Sequence, residues 1–199
     1  MKAAIVTLAS GSAIRAEILR SAGVPFEVCR PDVDESEIKS QCLKDGLSLD
    51  EMAMKLAEAK CMKIAEKIKG LVIGSDQILD FEGTAFDKPA SMAEARARFI
   101  LMAGKAHELV NATTVARDGK VIWRNLQRSS LTLRSLSEPE IDAYLKAVGE
   151  QVLASVGAYQ IEALGARLFE KIEGDHTAVL GLSLLPLLAL LRNEGVLDF

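Results

Sequence analysis

The sequence predicts an α/β fold, and three observations carry that expectation. An apolar run at residues 3–8 reads as a buried strand, and it leads through Ala9-Ser10-Gly11-Ser12 into Ile14, Ile18, Leu19 and Ala22, which share one face of a helix. A helix-and-strand succession follows: Ala53, Leu56, Ala57, Cys61, Ile64, Ala65 and Ile68 form a core-facing stripe at helical spacing, and Leu71-Val72-Ile73-Gly74 reads as a buried strand. Residues 109–116 and 121–123 then flank Asp118-Gly119, a hairpin signal between two strands. Strands alternating with amphipathic helices bury their apolar faces by packing helices on a sheet.

The chain has 199 residues, a length that predicts one domain spanning 1–199 with a sizeable core. A hydrophobic content of 49% against 26% charged residues excludes a disordered chain. The formal net charge of −4 gives no general attraction to nucleic acid or to an anionic membrane, so a bound anion has to meet a local cluster of basic residues. Cys29, Cys42 and Cys61 are odd in number and form no CxxC pair, which argues against a disulfide framework and a structural zinc site and fits a reducing cytoplasm. Residues 3–8 are too short for a signal-peptide core, and residues 182–191 are too short to span a bilayer and contain Pro186. Neither a membrane nor a nucleic acid is expected as a partner.

The strand-to-helix turn at Ser10-Gly11-Ser12 is the first candidate site. Free N–H groups and the positive dipole end at the start of a helix favour an anion, and Arg15 adds a forked cation suited to phosphate. A capped helix start with a solvated arginine is the plainer reading of the same residues. The helix should end near Gly23, with residues 24–28 extended. The acidic patch Asp32, Asp34, Glu35 and Glu37 is either a solvated loop or a source of carboxylate for a hard divalent cation.

Ser48 and Glu51 form a capping-box pattern for the next helix, and Gly70 stands where a C′ residue belongs. Lys60 falls inside the apolar stripe of that helix, so it either snorkels outward or has an anionic partner. Ser75-Asp76-Gln77 sits at or near the end of the following strand. A carboxylate there is a candidate for chemistry, because ligands of open α/β sheets bind outside the carboxyl ends of the strands; a loop-capping aspartate is the alternative. Phe81-Glu82-Gly83-Thr84 predicts a tight turn, after which Lys88, extended by Pro89, either reaches back to the ligand or is simply exposed.

Ser91 with Glu94 and Ser137 with Glu140 open two more helices, ending near Gly104 and Gly149, and a further strand is expected at 131–133. His107 and His176 lack metal-ligand spacing and read as structural. Residues 168–172 and 177–180 read as a strand pair around Gly174-Asp175, and a last helix runs over residues 184–192.

Taken together, LASGSAIR, VDE at residues 33–35, LAEAK ending at Lys60, VIGSDQ at residues 72–77, Lys88-Pro89, GAYQIE at residues 157–162, and FEKIEGD followed by VLGL resemble the Maf family along nearly the whole chain. The resemblance implies a mixed twisted β-sheet flanked by helices, related in architecture to inosine triphosphate pyrophosphatases. It implies a nucleoside triphosphate pyrophosphatase that releases a nucleoside monophosphate and pyrophosphate with a divalent cation, magnesium or manganese. Ser10, Ser12 and Arg15 then match the phosphate-binding turn, Lys60 and Lys88 the phosphate-binding lysines, Glu35 the acidic motif that helps hold the metal, and Asp76 the proton acceptor and second metal ligand. Gln77 and Glu162 resemble the branch acting on 7-methyl-GTP, whereas Ile14 stands where that family often has an arginine or an aromatic residue. A carboxylate at Glu162 could accept hydrogen bonds from guanine that a pyrimidine does not offer. The resemblance also suggests a homodimer. The rival readings are a nucleotide-responsive regulator of septum formation, which would not need Asp76, and a dinucleotide-binding domain, which would need a GxGxxG turn that is absent after the first strand.

Overall fold

The computed structural model describes residues 6–199, so the first three residues of the predicted strand at 3–8 lie outside the described residues. The fold is α/β, as the sequence predicts: a mixed sheet of seven strands in the order β2-β1-β3-β5-β6-β7, with β4 paired to β3, accompanied by seven helices among the described residues. The strands are β1 (Val6–Ala9), β2 (Glu27–Val28), β3 (Leu71–Phe81), β4 (Thr84–Phe86), β5 (Ala106–Arg117), β6 (Lys120–Leu133) and β7 (Phe169–Glu173). The helices are α1 (Ala13–Ser21), α2 (Glu35–Lys44), α3 (Leu49–Ala65), α4 (Met92–Met102), α5 (Glu138–Val148), the single turn α6 (His176–Val179) and α7 (Leu184–Asn193). The described residues group into two compact units, one made of the chain up to Gln77 with Asn111–Gln127 and Asp175–Phe199, the other of Ile78–Val110 and Arg128–Gly174.

In the first unit β1 runs parallel to both β2 and β3, and its register with β3 ends at Ala9 opposite Gly74. Alternation along the strands divides the core in two. Val6, Leu8, Leu71, Ile73 and Val115 pack with α1 and α7, whereas Ala9, Val72 and Ala116 pack with Cys61, Ile64 and Ala65 of α3. Helix α3 lies very close to β3. A Cβ built on Gly74 would stand 2.4 Å from the Ala57 carbonyl oxygen and 2.6 Å from the Cys61 Cβ, so a residue without a side chain is required there. Burial pushes the Cys61 thiol up to about 12, which leaves it an inert packing group.

Several local expectations need correction. Helix α3 starts with the predicted box, Glu51 accepting from the Ser48 N–H at 2.8 Å, but it ends at Ala65, and Gly70 instead exchanges hydrogen bonds with Asp118. The acidic patch is not all loop, because Asp34 accepts from the Glu37 N–H at 3.0 Å and caps α2. Ser75-Asp76-Gln77 lies within the eleven-residue β3, just past the last residue paired with β1, and not at the strand's end. Residues 121–123 and 131–133 belong to one strand, β6, whose burial alternates through a polar middle. Residues 177–180 are not a strand: Asp175 accepts from the Ala178 N–H at 2.6 Å and starts α6, and β7 pairs with β6.

In the second unit, α4 and α5 are joined by Arg96, which donates to Asp142 at 2.6 Å and to Glu138 at 2.7 Å. His107 is buried beside Tyr159 and Phe169, with its Nε2 2.7 Å from the Tyr159 hydroxyl, in keeping with a structural role. Burial pushes its pKa down to about 4, whereas an unfolded histidine titrates near 6.5. The unfolded chain therefore binds the extra proton first, and stability that is complete above about pH 6.5 is lost as pH falls toward 4. At pH 5 the loss from this residue should be about 2 kcal/mol. Urea unfolding at pH 5 and 7.5 should show a pH difference larger by that amount in the native protein than in His107→Gln; equal differences would mean that His107 titrates normally.

Candidate active site

The pleat of β3 assigns its polar residues to opposite sides. Asp76 shares parity with Val72 and Gly74 and faces α3, where Lys60 projects from the apolar stripe. The Lys60 Nζ lies 2.6 Å from Asp76 Oδ1 and 2.8 Å from Glu35 Oε1. Only 11% of the Lys60 side chain and 8% of the Asp76 side chain is exposed, against 46% for Glu35 at the first turn of α2. Lys60 thus has an anionic partner and does not snorkel. Asn111 of β5 donates to the Asp76 carbonyl at 3.3 Å.

Ser75 and Gln77 share parity with Leu71 and Ile73 and face the α1 and α7 side. Ser75 Oγ lies 2.9 Å from the Ala112 carbonyl and 3.1 Å from the Gly181 carbonyl, sharing one proton between them. Gln77 Nε2 donates to the Ala178 and Val179 carbonyls at 3.1 and 3.0 Å.

The turn after β1 holds Arg15 in place. Its Nε donates to the Gly181 carbonyl at 2.7 Å, and its Nη1 to the Ser75 carbonyl at 2.9 Å and to Ser10 Oγ at 3.3 Å. Burial draws the Arg15 pKa down from its ordinary value, and the charges of Asp76 and Glu35 oppose that shift. Arg15 is therefore no solvated surface arginine. Ser10 Oγ also accepts from the Ser12 N–H at 3.1 Å, and Ser12 is the N-cap of α1, its side chain making no capping bond. Ile14 is partly buried against the α1 and α7 core.

Lys88 and Glu162 belong to the second unit, both exposed, Lys88 after β4 and Glu162 in the irregular segment before β7. Arg98 of α4, which the sequence did not single out, donates to the Asp87 carbonyl, to the Val156 carbonyl at 3.2 Å and to Glu94, and its guanidinium lies over the Phe86 ring. It ties the backbone next to Lys88 to the backbone next to Gly157. In that second segment Ala158 has φ +56°, a left-handed conformation that an alanine adopts only under constraint.

The family model for Maf-like proteins matches residues 5–194. The chain belongs to the Maf family. Among curated Maf relatives, a protein of Caulobacter vibrioides named nucleoside triphosphate pyrophosphatase is 46% identical over 192 residues, 96% of each chain. A protein of Mesorhizobium japonicum named 7-methyl-GTP pyrophosphatase is 44% identical over 97% of this chain and 98% of its own, and one of Brucella suis with the same name is 42% identical over the same shares.

No group of three or more histidine, cysteine or acidic side chains gathers among the described residues of this Maf chain, and Asp76 and Glu35 meet as a pair at the Lys60 ammonium. Two convergent carboxylates suit a hard ion that completes its shell with water and substrate oxygens, not one that needs an all-protein cage. Lys60→Met should destabilise the fold by about 3 kcal/mol, because it leaves the Asp76 carboxylate buried without its counter-charge. In an Asp76→Asn background the same substitution should cost less than half as much. A full, additive loss in chemical denaturation would mean that the pair contributes only through packing.

Proposed function

We propose that the chain is a nucleoside triphosphate pyrophosphatase that hydrolyses a guanine-like or modified purine nucleotide, such as 7-methyl-GTP, to the monophosphate and pyrophosphate. The observation that carries the reading is the meeting of Lys60 with Asp76 and Glu35, within electrostatic reach of the partly buried Arg15. The names of the relatives support the same chemistry.

Water attacks the α-phosphorus of a triphosphate only where the negative charge of the phosphates is offset and the water gives up a proton. Ser10, Ser12, the first N–H groups of α1 and Arg15 bind the phosphates. Lys60 neutralises Asp76 in the free protein and turns toward the phosphates when they arrive, which frees Asp76 Oδ1 to take the proton. Glu35 then retains a share of the ammonium and holds it near. Magnesium or manganese on Glu35 and Asp76 would offset further phosphate charge. Lys88 and Glu162 take the phosphate and guanine roles that the family resemblance gives them. Free Cys29, Cys42 and Cys61 suit a reducing cytoplasm, and no described helix is long and apolar enough to cross a membrane. The homodimer suggested by the resemblance is a matter for sedimentation.

The test is pyrophosphate release from canonical and modified nucleoside triphosphates with magnesium or manganese. Asp76→Asn should fall at least a hundredfold, the lower range for loss of a general base. It should keep its fold, since Lys60 retains Glu35 as a partner. Retained turnover would remove Asp76 as the base. Nucleotide binding without turnover by the native protein would favour the regulatory reading instead.

A further inference from the structure

The turn that follows α6 meets two residues of the site that are far from it in sequence. Gly181 gives its carbonyl to Arg15 Nε at 2.7 Å and to Ser75 Oγ at 3.1 Å. Three and two residues earlier, the Ala178 and Val179 carbonyls receive both amide hydrogens of Gln77. The turn is braced internally, with the Gly181 N–H on the Ala178 carbonyl at 2.9 Å and the Leu182 N–H on the Thr177 carbonyl at 3.0 Å. A shift in residues 178 and 179 therefore moves the carbonyl that aims Arg15.

Gly181 has little latitude. Its φ is +109°, outside the range of ordinary L residues, and it is this backbone angle that constrains the position, since a Cβ would stand at ordinary contact distance, 3.4 Å from Arg15 Nε and from Gln77 Oε1 and 3.6 Å from Arg15 Nη2. Arg15 has Nε and Nη1 engaged by protein oxygens, and among the described residues its Nη2 has no hydrogen-bond partner. Nη2 is the part of the fork left for a ligand, and its direction is set by the other two nitrogens. Gln77 has its amide nitrogen engaged as well, so it has no donor left for a base and keeps only the Oε1 acceptor.

We propose that the 178–181 turn, through Gly181, is the positioning element for Arg15, and that Gln77 acts on the phosphate side of the site by holding this turn and not by contacting the base. The inference rests on the reading of Arg15 as a phosphate ligand. It makes Gln77 and Gly181 positioning residues whose effect reaches every nucleotide alike.

Inorganic tripolyphosphate, which carries no base, separates the possibilities. Titration calorimetry on the full chain should show Gln77→Met weakening tripolyphosphate and guanine and uracil triphosphates by a similar factor, about tenfold, with their order unchanged. The effect should nearly vanish in an Arg15→Lys background, because a lysine cannot bridge the Gly181 and Ser75 carbonyls as the guanidinium does. Gly181→Ala should reproduce the loss where it folds. Unchanged tripolyphosphate affinity with an altered nucleotide order would overturn the proposal, as would effects of Gln77→Met and Arg15→Lys that multiply, or a native protein that does not bind tripolyphosphate. Tripolyphosphate binding lost as expected in a protein that hydrolyses no nucleotide would count against the hydrolase reading alone.

Discussion

A lysine ammonium and an aspartate carboxylate 2.6 Å apart, each about nine-tenths buried, make up the interaction on which the site depends. Removing such charges from water costs several kcal/mol per ion, so neither would be tolerated there alone. The pair forms because α3 lies against β3 at Gly74, where the Ala57 carbonyl and the Cys61 backbone occupy the space of a missing side chain. That contact is made by packing, and its consequence is electrostatic. It brings a residue from the middle of an amphipathic helix to a carboxylate on the next strand, and the exposed Glu35 completes the balance at 2.8 Å. A ligand with several negative charges is the kind of partner that could draw Lys60 away from Asp76 while Glu35 keeps the ammonium near.

The second constraint is the pleat of β3. Because β1 stops at Ala9 opposite Gly74, the three residues that follow project beyond the parallel pairing on that edge. Alternation sends Asp76 to α3, Gln77 to the end of α6 and Ser75 to the turn after it. A one-residue slip of β3 would exchange the two sides and put a carboxylate against the Gly181 carbonyl. The register is secured by Val72 on one side and by Leu71 and Ile73 on the other, all fully or nearly fully buried.

Much of this was legible in the chain, where local signals and function coincided. Ser48 with Glu51 and Ser137 with Glu140 do start helices, Asp118-Gly119 does turn β5 into β6, and Lys60 is recognisable as a charge out of place in an apolar stripe. Helix α2 was not legible because Cys42 is its one buried residue, which leaves no stripe for periodicity to register. The middle of β6 was missed for the related reason that its polar residues hide a strand whose pairing, not its own composition, keeps it extended. Residues 177–180 looked like a strand because threonine and valine favour one, and the capping carboxylate of Asp175 overrides that preference. Arg98 and Gly181 act through backbone carbonyls distant in sequence, and no residue type or spacing announces such a bond.

The two sides of β3 are joined by a buried polar path and not only by the strand itself. Asn111 donates to the Asp76 carbonyl, and its Oδ1 lies 3.1 Å from Ser183 Oγ, which in turn lies 3.0 Å from Gln127 Oε1. Ser183 is two residues past Gly181, at the start of α7, so the network reaches from the backbone of the carboxylate to the chain that aims the arginine. Unsatisfied polar groups at such depth would each cost about 1–3 kcal/mol, which ties every member to its partner's position. Rigid support of this sort suits a site in which a base and a phosphate-binding cation must meet one ligand, because an error of an ångström in either would misalign the attacking water. Lys60 is held between carboxylates on two separate elements, Glu35 of α2 and Asp76 of β3.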